Sequence, residues 1–319
     1  MKISPISLRS LLCKKDFVKE TKLEKLTGEE SLSNMVEHPF INRVGLALAG
    51  YIDALLKGRL HLMGYSEIKY LNTLDEKEAR TRIEKILEVK IPGILISSNL
   101  KPPPFLVDMC KDKNVALLVS SLPSNVLINK TMSFLSRYLM ERKCIHGTLM
   151  DIFGVGVLIT GPSGIGKSES SLELISKGHR LIGDDYINLR KDVNGEIIGE
   201  VGRDWASGVM EIKSIGIINV NQIFGLSSWE KEKEVQMVIE LKDLEKEDKV
   251  LDFKIEDYEV FEDTYLPCFH ISVVKGRNLA LIIEVAVKVF LLKRLGIDYQ
   301  ESLIAFQKML CLEKEVEKE

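Results

Sequence analysis

The feature that most restricts what this chain can fold into is one match to G-x-x-x-x-G-K-[ST], at Gly161, Pro162, Ser163, Gly164, Ile165, Gly166, Lys167 and Ser168. Such a loop works between the end of a buried strand and the start of a helix, within an α/β unit. Residues 157–160 ahead of it are short, apolar and β-branched, and residues 168–177 behind it read as a helix that Gly178 ends. The glycines let successive backbone N–H groups curl round phosphate oxygens, and the helix start adds the positive end of its dipole. Lys167 then reaches the β- and γ-phosphates, and the Ser168 hydroxyl serves a bridging Mg²⁺. A glycine-rich turn without function needs neither the strand before it nor the helix behind it. The motif implies binding of a nucleoside triphosphate or a close relative.

At 319 residues the chain exceeds the ~250–300 at which a single core stops growing, so two domains are expected. With 45% hydrophobic and 29% charged residues and a net charge of -3, nothing favours nucleic acid or an anionic membrane as partner. Cys13, Cys110, Cys144, Cys268 and Cys311 are scattered singly and odd in number, which reads as buried thiols in a reducing compartment. Pro5 interrupts the start before an apolar core of signal-peptide length builds up, and no apolar stretch has the length of a bilayer span. The expected location is the cytoplasm.

The first part of the chain alternates short strand-like and helix-like segments, the pattern of an α/β domain. Residues 60–63, 93–96 and 115–119 read as strands, and 75–89 as an amphipathic helix capped by Asp75. Pro102, Pro103 and Pro104 break the chain ahead of a further helix ending near Asp112. Ile128, Met132, Leu135 and Leu139 recur at helical spacing, predicting a connecting helix over 124–143. The two domains are accordingly expected over 1–130 and 131–319. His61, in an alternating apolar run, and His38, in a loop, are given no chemistry. No internal repeat is present, and the charge-rich stretches 230–234, 242–249 and 313–319 read as solvated faces and a tail.

From Cys144 onward candidates for chemistry crowd together. His146 precedes the strand leading to the phosphate loop and is either an acid, base or hydrogen-bond donor near the phosphates or a turn histidine. After the loop helix, His179 suits packing or capping, and the pair Asp184-Asp185 ends a short apolar segment. Acids in such a place hold Mg²⁺ or deprotonate a substrate hydroxyl, the alternative being an acidic turn. Glu211 is a carboxylate that can reach a metal or stand on the surface. Lys275 and Arg277 put two cations on a loop before a helix over 279–295 capped by Gly296, a loop that suits a phosphate or serves only as a helix entry. Ile282, Ile283, Ala286 and Phe290, then Leu303, Phe306 and Leu310, recur at helical spacing and read as core or subunit contact.

Taken together these blocks resemble the bacterial HPr kinase/phosphorylase family. The resemblance rests on His146-Gly147 ahead of the phosphate loop, the loop itself, Gly178-His179-Arg180-Leu181 leading to Asp184-Asp185, and residues 210–219. Gly276-Arg277-Asn278-Leu279 before Ile282-Ile283-Glu284-Val285-Ala286 extends it, and residues 46–51 with the break at Pro102 carry it into the first half. It implies an enzyme that moves a phosphoryl group from ATP to a serine of the small carrier protein HPr, and that removes it again with inorganic phosphate to give pyrophosphate. By this resemblance Asp185 accepts and returns the serine proton, His146 and Lys167 assist transfer, and Ser168 and Glu211 hold Mg²⁺. Residues 274–279 are tied to phosphorolysis. The resemblance also implies a homo-hexamer, with a smaller amino-terminal α/β domain and a carboxy-terminal P-loop kinase domain similar to the nucleotide-binding core of phosphoenolpyruvate carboxykinase.

The chain departs from the family pattern at two places. Where the family carries an Asp-Arg-Leu-Gly segment, residues 249–254 hold no arginine, and Lys213-Ser214 stands where Arg-Gly is usual. A lysine lacks the planar fork that grips a phosphate at two points. Phosphate and magnesium binding are therefore expected to survive with one direction of the reaction weakened. Two other readings stay open: a degenerate member that binds ATP without transferring phosphate, and a kinase of another protein serine or of a small hydroxyl compound.

Overall fold

A computed structural model describes residues 5–202, 208–213, 215–243, 255–261, 263–274 and 276–297. Leu303, Phe306, Leu310, Cys311, Ser214, Lys275 and the stretch 249–254 lie outside the described residues. The chain divides into two compact units, 1–142 with 190–196 and 143–189 with 197–319.

The first unit runs β1 (Ile6–Ser7), α1 (Leu8–Leu12), α2 (Lys15–Thr21), β2 (Leu23–Lys25), β3 (Met35–Val36), β4 (Asn42–Arg43), α3 (Gly45–Leu48), β5 (His61–Met63), α4 (Tyr65–Leu71), α5 (Glu76–Glu88), β6 (Gly93–Ile96), α6 (Pro104–Asp112), β7 (Ala116–Ser120) and α7 (Ser124–Leu139). Five strands form a sheet in the order β2-β7-β6-β5-β4. All neighbours are parallel except β2 with β7. A parallel sheet is covered on both faces, which is why β5 and β6 are buried at every residue, including His61 of β5, and why β6 reads as an unbroken apolar run. The Asp75 carboxylate accepts the Glu78 N–H at the start of α5, and proline at the start of α6 sacrifices only an N–H without an intrahelical partner. The expected helix over 124–143 ends at Leu139, because Arg142 to His146 extend into a strand. Its Leu127, Phe134, Leu135 and Leu139 share a core with Leu8, Leu11 and Phe17. That packing keeps the helix whole in the first unit, which parts from the second after Arg142.

His61 is fully buried, and its Nδ1–H donates to the Arg59 carbonyl at 2.9 Å. Burial lowers its pKa from 6.5 to about 4. An imidazole held neutral in the fold contributes stability that is complete above 6.5 and is lost as pH falls towards 4, up to about 3 kcal/mol. Chemical denaturation at a series of pH values is expected to show this slope in the wild-type chain and a flatter one in His61→Leu. Equal slopes would contradict the assignment.

The second half runs β8 (Arg142–His146), β9 (Thr148–Ile152), β10 (Val155–Thr160), α8 (Lys167–Ser176), β11 (Arg180–Gly183), β12 (Tyr186–Lys191), β13 (Ile197–Val201), β14 (Val209–Ile212), β15 (Gly216–Asn219), α9 (Val220–Phe224), β16 (Glu232–Glu234), β17 (Met237–Asp243), β18 (Ile255–Phe261), β19 (Thr264–Val273) and α10 (Leu279–Arg294). A six-stranded sheet has the order β11-β9-β10-β17-β19-β18, and a four-stranded one the order β16-β13-β12-β8. In the larger sheet β10, β17 and β19 are parallel neighbours, with antiparallel strands outside them. Side chains alternate between its faces. Val157, Ile159, Met237, Ile239 and Leu241 pack with Leu174 and Ile175 of α8 and with Ile283, Ala286 and Phe290 of α10. Leu158, Val238 and Cys268 pack on the other side with Ile187, Leu189 and Ile197 of the smaller sheet.

Cys110 and Cys268 are buried thiols, as expected, but Cys13 and Cys144 are exposed. Cys13 caps the end of α1, and Cys144 lies on an outward position of β8. Among the described residues no helix is long and apolar enough to cross a membrane.

Candidate active site

The glycine-rich loop leaves the carboxyl end of β10 and enters α8 at Lys167. Gly161 has φ +140°, and a Cβ there would stand 2.6 Å from the Leu241 carbonyl oxygen on β17, so no other residue fits. Gly166, at φ +106°, occupies the N-cap of α8, whose side chain contributes no capping bond. The backbone N–H groups of the first turn therefore remain available to an anion, and they lie at the positive end of the helix dipole. Leu174 and Ile175, on the other side of α8, hold it against the sheet.

Lys167 is buried. Its Nζ donates to the Gly161 and Pro162 carbonyls at 2.9 and 3.0 Å, so the cation is held at the loop itself. Ser168 Oγ donates to Asp184 Oδ2 at 2.9 Å, and Thr148 Oγ1 donates to Asp184 Oδ1. Asp184 is brought there by β11, which pairs with β9 through an irregularity between Leu181 and Gly183. Burial raises the Asp184 pKa above the ordinary carboxylate range. The two hydroxyl donors pull it down, and the neighbouring charge of Asp185 pushes it up again. Ionising Asp184 is thus costly until a cation arrives.

Asp185 follows with φ +68°, a left-handed conformation that aspartate tolerates better than most side chains. It is half-buried, and its backbone carbonyl accepts the Gly147 N–H at 3.1 Å and the His146 Nδ1–H at 2.8 Å. His146 is exposed and meets the Tyr186 ring edge-on, with centroids 5.9 Å apart. With Nδ1–H fixed by the carbonyl, Nε2 is the ring nitrogen left for a substrate. Loop, Ser168, the acidic pair and His146 thus form one connected group inside the second unit.

Glu211 belongs to a hairpin whose first strand contacts α8. It lies on β14, opposite Ile217 of β15, with Met210 and Ile212 buried on either side. It is exposed, and among the described residues its carboxylate makes no hydrogen bond or ion pair. The side chain of this hairpin that reaches the loop is Lys213, whose Nζ lies 2.9 Å from where a Cβ on Gly164 would be. Residue types and spacing do not single out Lys213 as a loop residue or divide Asp184 from Asp185; the family resemblance alone gives Asp185 a separate role. The start of α10 also borders the loop, with Leu279 Cδ2 3.8 Å from where a Cβ on Gly166 would stand. Asn278 caps α10 by accepting the Leu281 N–H, and its side-chain amide donates to Glu173 of α8 at 2.7 Å. His179 bonds Glu284 of α10 at 3.0 Å and packs edge-on against Phe153, a structural pairing between the two helices and the sheet.

Two family models match this chain: the HPr Serine kinase N terminus over residues 13–135 and the HPr Serine kinase C-terminal domain over residues 137–307. An HPr kinase/phosphorylase of Geobacillus kaustophilus is 35% identical over 293 residues, which span 91% of this chain and 94% of that protein. The solved structure of the Hpr(Ser) kinase/phosphatase from Coxiella burnetii is 37% identical and covers 50% of this chain and 98% of its own, with a TM-score of 0.45.

Proposed function

Because the chain belongs to the HPr serine kinase family, we propose that it is a kinase and phosphorylase of HPr, and that the loop at Gly161–Ser168 and the carboxylates beside it perform both reactions at one site. The observation that carries this reading is the Ser168–Asp184 hydrogen bond at the start of α8. It joins an anion cradle to an acidic pair sixteen residues further along the chain.

The donors suit ATP with Mg²⁺. A serine hydroxyl and a carboxylate are hard oxygen ligands, and the loop presents backbone N–H groups to phosphate. Ser168 and Asp184, with Glu211 as the family resemblance implies, would hold the cation, which when bound offsets phosphate charge. Lys167 exchanges its two carbonyl acceptors for phosphate oxygens, which are stronger because they are charged. In the kinase direction the HPr serine Oγ attacks the γ-phosphorus and gives its proton to Asp185, while the bond to the β–γ bridging oxygen breaks and ADP leaves. In phosphorolysis an oxygen of inorganic phosphate attacks the phosphoserine phosphorus. The Oγ–P bond then breaks, Asp185 returns the proton to Oγ, and pyrophosphate leaves. His146, through Nε2, assists by hydrogen bonding to the group in transit.

A homo-hexamer, a cytoplasmic setting and a kinase core like that of phosphoenolpyruvate carboxykinase belong to the same proposal on the strength of the family resemblance. So does the weakening of one direction, since Lys213 stands at the loop with a point charge where an arginine fork is usual. Incubation with radiolabelled ATP, Mg²⁺ and HPr is expected to label one serine of HPr, and Asp185→Ala to abolish the label. Protection of the chain against heat by ATP without labelled HPr would instead support the degenerate, binding-only reading.

A further inference from the structure

On the face of the large sheet opposite α8 and α10, the parallel pairing of β17 with β19 sets Glu240 opposite His270 and Val238 opposite Cys268. Alternate residues of a strand share a face, so Glu240, Cys268 and His270 project to the same side. The antiparallel pairing of β18 sets Glu256 opposite Cys268. One ligand atom from each of Glu240, Cys268 and His270 lies within 4.8 Å of the other two. Ligands around a tetrahedral zinc ion stand roughly 3.5 Å apart, so modest rotamer adjustment closes the set.

The histidine is arranged as a metal-bound imidazole is. Its side chain is nine-tenths buried, and Nε2 lies 3.1 Å from Glu256 Oε2, to which it donates. Nδ1 lies 2.9 Å from Glu240 Oε2 but outside the angles of a hydrogen bond, and it is buried without a hydrogen-bond partner. A carboxylate holding one ring N–H while the other nitrogen faces a thiol and a second carboxylate is the second-shell pattern of zinc sites. The competing contacts are ionic: Lys242 stands 3.8 Å from the same Glu240 oxygen. None of these residues belongs to the phosphate site, although Thr160, just before Gly161, pairs with Glu240 in the sheet register.

We propose that Glu240, Cys268 and His270 bind a zinc-class divalent cation, with Glu256 orienting the imidazole and water completing the tetrahedron. The thiolate and imidazole distinguish this site from the oxygen-only donors of the magnesium site. Burial, with the Glu240 charge adding to it, pushes the Cys268 thiol up to about 11. Without metal the sulfur therefore keeps its proton. On binding, the S–H bond breaks, the proton goes to solvent and the sulfur–metal bond forms without any redox change.

The test uses the reduced full-length chain titrated with Co²⁺ and then Zn²⁺, in competition with a chromogenic chelator. One equivalent of Co²⁺ is expected to give a thiolate-to-cobalt charge-transfer band that Zn²⁺ bleaches. Cys268→Ser removes the band, Glu256→Gln weakens zinc binding by at least about tenfold, and His270→Gln weakens it further. Far-UV circular dichroism checks each variant's fold, and if Cys268→Ser does not fold, His270→Gln decides. No stoichiometric uptake by the wild type, a band that survives Cys268→Ser, or unchanged affinity in a folded His270→Gln would each overturn the site.

Discussion

Replacing Lys167 with methionine is expected to lower phosphoryl transfer to HPr by about 10²–10³-fold, the usual cost of removing one preorganised charge-stabilising donor. The substitution is chosen for geometry. Lys167 is buried, and its amine is held by the Gly161 and Pro162 carbonyls at 2.9 and 3.0 Å, so an unbranched apolar chain of similar length keeps the stem packed while deleting the cation. Initial rates with saturating HPr, together with nucleotide affinity, separate the two contributions. Both kcat and affinity fall if the amine contacts phosphate in the ground state and more strongly in the transition state, affinity alone falls if the contact is equal in the two, and kcat alone falls if it forms only during transfer. Unchanged rates would remove Lys167 from the mechanism.

Asp185→Asn is expected to cost about 10²–10⁴-fold in the same transfer, the range of general acid–base catalysis. Asparagine, like aspartate, tolerates the left-handed backbone at φ +68°. The carbonyl that accepts from Gly147 and His146 therefore keeps its place. The variant loses the ability to take a proton and little else, so ATP affinity should stay within about threefold of wild type. A comparable loss in ATP binding would instead mark Asp185 as a magnesium ligand.

The parts of this site legible in the sequence are those whose geometry is local. A β-branched run, a glycine-rich loop and a capped helix are each determined within a few residues, and residues 155–176 fold as their pattern implies. The pair Asp184-Asp185 is legible as a pair from its residues, but its division is not, and only the family resemblance gives Asp185 a role of its own. Asp184 turns inward to Thr148 and Ser168 because an irregular pairing of β11 with β9 places it there, whereas Asp185 enters the left-handed region with its backbone carbonyl bonded to Gly147 and His146. Neither condition is written in neighbouring residues. The stretch 210–219 looked like one mixed segment, whereas Gly216, at φ +96°, lets it fold back as the hairpin β14–β15. That fold brings Lys213 to the loop. The end of α7 was overrun for a related reason: helical periodicity does not reveal that Arg142–His146 is claimed by the four-stranded sheet. The cluster of Glu240, Cys268 and His270 depends on the pairing register of two strands, which single-residue spacing does not contain.

The central claim is that one carboxylate beside the glycine-rich loop moves the serine proton in both reactions. Kinase and phosphorolysis are separate reactions, not each other's reverse, so no equilibrium relation forces their rates to fall together. The decisive measurement follows label transfer from ATP to HPr and pyrophosphate release from phosphoserine-HPr with inorganic phosphate, in matched preparations of wild type and Asp185→Asn. Loss of at least about 10²-fold in both, with ATP still bound, is the predicted result. Wild-type rates in either reaction would contradict it.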